Sequence, residues 1–222
     1  MTEKPAVDEN HNPWSVRSSE VRYENPWISV RHDEVIDPSG RSGMYGVVSP
    51  RNLALGVLPI LDDGSVLLVG QYRYPLDRYS WEMPEGGGAK DLDPLASIAR
   101  ELREETGHEA SSWLAVVDMT LSNSVTDEWA MCWVAWGLRL HAEGAEPEST
   151  EDLAIWNVSY PEAVEMVWSG MIFDSMTVAT IAKVEAMRLR DELPRDLVAL
   201  LNLRSSEAGA PAVEHRRRER RR

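Results

Sequence analysis

The sequence predicts an α/β fold with a small all-β unit ahead of it, and three observations carry that expectation. Strand-like and helix-like segments alternate from Asn52 onward. The run LALGVLPIL, ending at Leu61, is continuously apolar, as in a strand covered on both faces by helices. Between Trp81 and Ala110 (WEMPEGGGAKDLDPLASIARELREETGHEA) stands a helix whose two ends are both marked in the sequence.

Taken in order, residues 1–12 are polar and read as a flexible arm. Residues 13–50 read as a β unit of three strands, WSVRSSEVRY, WISVRHDEVID and MYGVVS, with DPSGRSG as a turn. So short a ribbon cannot bury Trp14, Val21, Trp27, Ile28, Val30, Val35 and Ile36 by itself. It must pack on the main domain or on a second subunit. Residues 51–205 form the main domain. It opens with strands Asn52–Leu61 and Ser65–Tyr72 around the turn Asp62-Asp63-Gly64, followed by a glycine-rich loop and the marked helix. Strands near Ser112–Thr120 and Glu128–Leu140 come next, then an acidic loop, Ala142–Asp152, and a strand LAIWNV. Helices are expected from Pro161 and, capped by Asp174 or Ser175, from Met176. Residues 206–222 include EHRRRERRR, a charge run with no apolar face that reads as a disordered tail.

Composition narrows the function. A hydrophobic fraction of 43% supports a sizeable core, and a net charge of −14 argues against nonspecific nucleic-acid or membrane partners. No apolar run is long enough to span a membrane. The single cysteine, Cys132, lies in an apolar strand, which fits packing and a reducing compartment. With no signal-peptide pattern at the N-terminus, a cytoplasmic location is expected. Trp129, Trp133 and Trp136 follow a mixed period that fits core or dimer packing better than a stacking platform.

In the marked helix, Asp93 suits the N-cap, Pro94 the first helical position and Gly107 the left-handed residue after the end. Leu95, Ile98, Ala99 and Leu102 fall on one face; Glu101, Glu104 and Glu105 fall on another. Three carboxylates within about one turn repel unless water or a cation separates them, and hard divalent ions favour such oxygen ligands.

This stretch resembles the Nudix hydrolase signature, G-x5-E-x7-R-E-U-x-E-E-x-G-U. Gly86, Arg100, Glu101, Leu102, Glu104, Glu105 and Gly107 match at the expected spacings. Leu92 replaces the first Glu, whose usual task is to support the arginine, and His108 replaces the last apolar residue. The order QYRYP…WEMPEG is similar to the ADP-ribose pyrophosphatase and nucleoside-diphosphate-sugar branch, as is IFDSMTVATIAKV. The resemblance implies an α/β/α sandwich with a mixed sheet and hydrolysis of a nucleoside diphosphate linked to another group. It also implies Mg²⁺ or Mn²⁺ held by Glu101 and Glu105, with Glu104 as ligand or water-holder and a backbone carbonyl at Glu85 or Gly86. Arg73 would meet the substrate's phosphate, with Glu82, Gly86 and Gly87 beside it, and Arg100 would support the acids. A base from the acidic loop is implied too, Glu151 before Glu148. Relatives of this branch also imply a homodimer in which the N-terminal β unit serves the partner's site. Competing expectations are another Nudix substrate (a dinucleoside polyphosphate, a nucleoside triphosphate or an RNA end) or a Nudix module that senses a nucleotide without hydrolysing it.

Overall fold

The computed structural model describes residues 8–142, 144–145 and 152–203. The N-terminal unit is an antiparallel sheet of β1 (Ser15–Glu24), β2 (Ile28–Ile36) and β3 (Ser42–Pro50). β3 runs almost directly into β4 (Asn52–Pro59), whose hairpin with β5 (Ser65–Arg73) turns at Asp62–Gly64. A short 3₁₀ turn, Tyr74–Leu76, leads to β6 (Arg78–Glu82) and β7 (Glu85–Ala89). Then come α1 (Pro94–Thr106), β8 (His108–Thr120), β9 (Trp129–Leu140), β10 (Ala154–Ser159), α2 (Tyr160–Trp168), α3 (Ser175–Leu189) and α4 (Arg195–Leu201).

Two sheets build the main domain. One is mixed, in the order β7-β4-β9-β8, with β4 parallel to β9 and antiparallel to β7. The other is antiparallel, in the order β10-β5-β6. Side chains alternate across the mixed sheet, and both faces are covered. Leu55, Val57, Trp133 and Ala135 pack against Ile98 and Leu102 of α1. Leu58, Cys132, Val134 and Trp136 join the larger core with residues of β5, β10, α2, α3 and α4. The strand covered on both faces that the apolar run predicts, and the sandwich that the resemblance implies, are therefore present. Cys132 is fully buried, and burial pushes its thiol up to about 12, so it is a packing residue.

Two elements differ from the sequence reading. The glycine run is strand β7, not a loop, because its backbone pairs along β4 from Asn52↔Ala89 to Gly56↔Glu85. Its glycines serve a close approach of helix to strand. A Cβ on Gly88 would lie 3.3 Å from Ser97 Cβ of α1, and one on Gly86 only 2.7 Å from Glu101 Oε1. Helix α4 was not anticipated. It buries Leu197 and Leu201, accepts a 2.8 Å hydrogen bond at Asp196 Oδ2 from Trp136 Nε1, and closes over the Asp62–Gly64 turn. The tryptophans divide: Trp133 and Trp136 are core, while Trp129 stays half-exposed at the start of β9 and bonds Asp118.

The N-terminal sheet docks on the loop between β8 and β9. Val48 N donates to Val125 O at 2.9 Å, Tyr45 Oη to Ser124 O at 2.8 Å and Ser49 Oγ to Asp127 Oδ2 at 2.7 Å. Its outer strand stays bare: all ten residues of β1 are exposed, and Trp27 and Met44 are exposed beside them. Among the described residues no helix is long and apolar enough to cross a membrane.

Candidate active site

Helix α1 is set by its caps. Asp93 Oδ1 accepts from Leu95 N at 3.1 Å, Pro94 opens the helix, and Gly107 closes it at φ 71° with its N–H on Arg103 O at 2.8 Å. Those caps set the ends of the helix, and Ile98 and Leu102, packed on the sheet, fix its rotation and with it the direction of the acids. Glu105 turns inward and is 2% exposed. Glu101 lies against the bare Cα of Gly86. Glu104 stands further out, and Arg100 bridges it to Glu101, donating Nη1 to Glu104 and Nη2 to Glu101 Oε1 at 2.6 Å. Leu92 is exposed, and Asp93 is engaged as the cap, so Arg100 takes its support from the acids of its own helix.

On the far side of β7 lies a cavity of about 470 Å³. Arg73, Glu82, Glu85, Glu128 and Asp174 line it, with Pro75, Leu76, Leu121, Phe173 and Met176 forming the apolar part. Arg73 grips Glu82 with two nitrogens; its Nε is 3.1 and 3.0 Å from the two carboxylate oxygens. Glu85 reaches the N-terminus of α3, where its carboxyl meets Asp174 and accepts from Thr177 Oγ1 at 3.3 Å. Thr177 Oγ1 also accepts from Met83 N at 3.1 Å, and Asp174 caps α3 by accepting from Thr177 N at 2.7 Å. Burial first, and then the charge and hydrogen bond of Asp174, push the Glu85 carboxyl well above the ordinary range. Burial and then Asp127 push Glu128 up as well.

The structure thus brings Glu101 beside Gly86, and Arg73 beside Glu82 and Glu85. It leaves the Glu104–Arg100 pair toward solvent and turns Gly87 to the opposite face, toward Asn52. Glu148 and Glu151 lie outside the described residues. Sequence reasoning gave Asp174 only a capping role and left Phe173 and Glu128 without one. Their meeting in one cavity joins segments far apart in the chain.

Among the described residues no three His, Cys, Asp or Glu side chains converge closely enough to hold a metal ion. The chemistry of the set nonetheless suits a hard cation. Glu101, Glu104 and Glu105 supply only oxygen donors, and the missing Cβ of Gly86 leaves the strand backbone open to the Glu101 carboxylate. Arg100 serves as counter-ion to two of the three acids.

Known proteins share the sequence and the fold. Residues 50–168 match the NUDIX domain, and residues 14–48 match the nucleoside diphosphate sugar hydrolase N-terminal domain. The chain is 33% identical over 186 residues to an ADP-ribose pyrophosphatase of Mycobacterium tuberculosis, covering 81% of this chain and 87% of that one. An ADP-ribose pyrophosphatase of Bacillus subtilis is 29% identical over 154 residues, 69% of this chain and 83% of that one. A solved structure of an ADP compounds hydrolase shares the fold, with a TM-score of 0.72 over 84% of this chain and 100% of that chain at 16% identity. Fold, acid-bearing helix and sequence likeness together define a pyrophosphohydrolase. The chain belongs to the Nudix family.

Proposed function

We propose that the protein hydrolyses the pyrophosphate bond of ADP-ribose or a related nucleoside diphosphate sugar, releasing a nucleoside monophosphate and a sugar phosphate. The observation that carries this reading is the placement of Glu101 on the open backbone of Gly86, with a cavity large enough for part of a nucleotide sugar, lined by Glu85, across the same strand. The paired matches to the Nudix domain and to the nucleoside diphosphate sugar hydrolase N-terminal domain support it.

Nudix hydrolases generally need a divalent metal; here Glu101 and Glu105, with Glu104 and the backbone at Glu85 and Gly86, would hold Mg²⁺ or Mn²⁺. Such an ion neutralises phosphate oxygens and acidifies water when bound. The chain's own residues do the rest. Arg100 bridges Glu101 and Glu104 and holds the two carboxylates aligned. Arg73 and Glu82 fix one wall of the cavity against the substrate, while Gly86 and Gly87 let it approach the strand. Glu151, or after it Glu148, takes the proton of the attacking water; hydrogen-bond reach to that water is the requirement. Both belong to the acidic stretch that follows β9 in the sequence.

The protein also works, in this reading, as a cytoplasmic homodimer whose N-terminal sheet helps to build the partner's site. The apolar residues left exposed on β1 and beside it support this, and a two-fold pair is the commonest closed assembly. Sedimentation of the full chain, and of a chain beginning at Arg51, should give a dimer and a monomer. A monomeric full-length protein with normal substrate affinity would defeat the shared site.

The substrate is tested by a panel of ADP-ribose, several sugar nucleotides, diadenosine polyphosphates and nucleoside triphosphates, each with Mg²⁺ or Mn²⁺. ADP-ribose or a sugar nucleotide should turn over fastest. A faster polyphosphate would move the protein to another Nudix substrate class.

A further inference from the structure

Helix α1 lies on a sheet whose two outer strands are β7 and β8, so it has two flanks. Glu101 faces the β7 flank, at Gly86. On the β8 flank is a separate cavity of about 500 Å³, within the range of small-molecule sites. Ala96, Ala99, Arg100 and Arg103 share one face of α1 and form one wall; Glu109 and Trp113 of β8 form the other. At about 100° per residue, that helix face stands nearly opposite Glu101 and Glu105. Ala96 and Ala99 are too short to fill the space between helix and strand.

This wall is cationic, although the chain carries a net charge of −14. Its carboxylate, Glu109, is already held: Arg139 donates Nε and Nη2 to it at 3.1 and 2.7 Å, and His141 Nε2 lies 3.4 Å away. Arg100 is committed to Glu101 and Glu104. Arg103 differs. It is half-buried, and among the described residues no carboxylate lies at ion-pair distance from it. Such a guanidinium offers its in-plane N–H donors to an oxyanion. Trp113 supplies an aromatic surface. Its Nε1 donates to Ala110 O at 3.3 Å and its ring packs on the core beneath α1, so the indole is fixed where it meets the cavity. A fixed aromatic face stacks with any nucleobase.

We propose that this cavity between α1 and β8 binds a nucleoside monophosphate, with the phosphate on Arg103 and the base against Trp113. The site lies across α1 from the catalytic acids and does not depend on the hydrolase reading. Its reporter is the indole N–H resonance of Trp113, assigned by its loss in Trp113→Phe, on metal-free protein in EDTA. AMP should shift that resonance to saturation. Adenosine and inorganic phosphate, each lacking one of the two contacts, should bind at least about tenfold more weakly. Arg103→Gln should weaken AMP about tenfold or more, and Arg103→Lys should recover part of the loss. Ala99→Leu keeps the charge but fills the cavity, and should abolish the shift, with circular dichroism confirming the fold of each variant. A Trp113 resonance unmoved by AMP, unchanged AMP affinity in Arg103→Gln, or wild-type affinity in Ala99→Leu would each overturn the assignment. Inorganic phosphate bound as tightly as AMP would overturn it too, by removing the base from the site. Hydrolysis of a nucleotide sugar by a protein that fails these tests would leave the hydrolase reading intact.

Discussion

Replacing Gly86 with alanine adds one methyl group at the point where strand β7 and helix α1 come closest. A Cβ there would sit 2.7 Å from Glu101 Oε1 and nearer still to its Cδ and Cγ. Ordinary contact is about 3.5 Å, so the carboxylate must retreat by about 1 Å. A misplacement of that size can cost about 100-fold in rate when the displaced group orients reacting partners. The fold should tolerate the change. Gly86 has no positive φ, the obstructing atoms belong to a flexible side chain, and alanine recovers about 0.4–1 kcal/mol through the unfolded state. We expect Gly86→Ala to lower kcat about 100-fold and to leave the melting temperature within a few degrees. Steady-state kinetics at saturating cation, alongside a thermal melt, measures both. Wild-type kcat in a folded Gly86→Ala protein would refute the role given to the Gly86–Glu101 contact.

Other substitutions probe neighbouring parts of the site. Leu92→Glu should fold normally, since Leu92 is 61% exposed, and should raise apparent metal affinity a few-fold by giving Arg100 a further support; unchanged affinity in a metal titration would show that Glu101 and Glu104 already suffice. Glu85→Gln should stabilise the metal-free protein at neutral pH. The Glu85 carboxyl binds its proton more tightly folded than unfolded, so its contribution to stability is full below the unfolded value and is lost as pH rises through the raised folded value. The gain in melting temperature over wild type should therefore grow between acid and neutral pH, and a gain independent of pH would contradict that account. Gly107→Ala forces a side chain into a left-handed residue 2.8 Å from Ala145 N, and should cost about 1 kcal/mol or more by denaturant melts; a stability unchanged from wild type would mean that the cap relaxes.

The parts of this protein that were legible in the sequence are those fixed by local chemistry. Asp93, Pro94 and Gly107 mark the two ends of α1 because each satisfies or frees a terminal backbone group within a few residues. The continuous apolar run at β4 announces a sheet covered on both sides. What escaped depends on partners remote in sequence. A row of glycines has no hydrophobic period, so β7 reads as a loop until β4 is placed beside it. Helix α4 is only seven residues long, and its signal is two buried leucines and the Asp196–Trp136 bond. Asp174 reads as a helix cap, which it is, but its meeting with Glu85 joins strand β7 to α3.

In the function proposed, Glu101 and Glu105 of α1 would hold a divalent cation that cleavage of a nucleotide sugar requires. The most direct measurement is hydrolysis of ADP-ribose against Mg²⁺ concentration, with AMP and ribose 5-phosphate resolved by chromatography, in the wild type, Glu101→Gln and Glu105→Gln. The account predicts cation-dependent release of both products by the wild type, and at least about a tenfold lower rate in each variant with its circular dichroism unchanged. Near-normal, cation-dependent turnover in both variants would remove these acids from the mechanism and contradict the account.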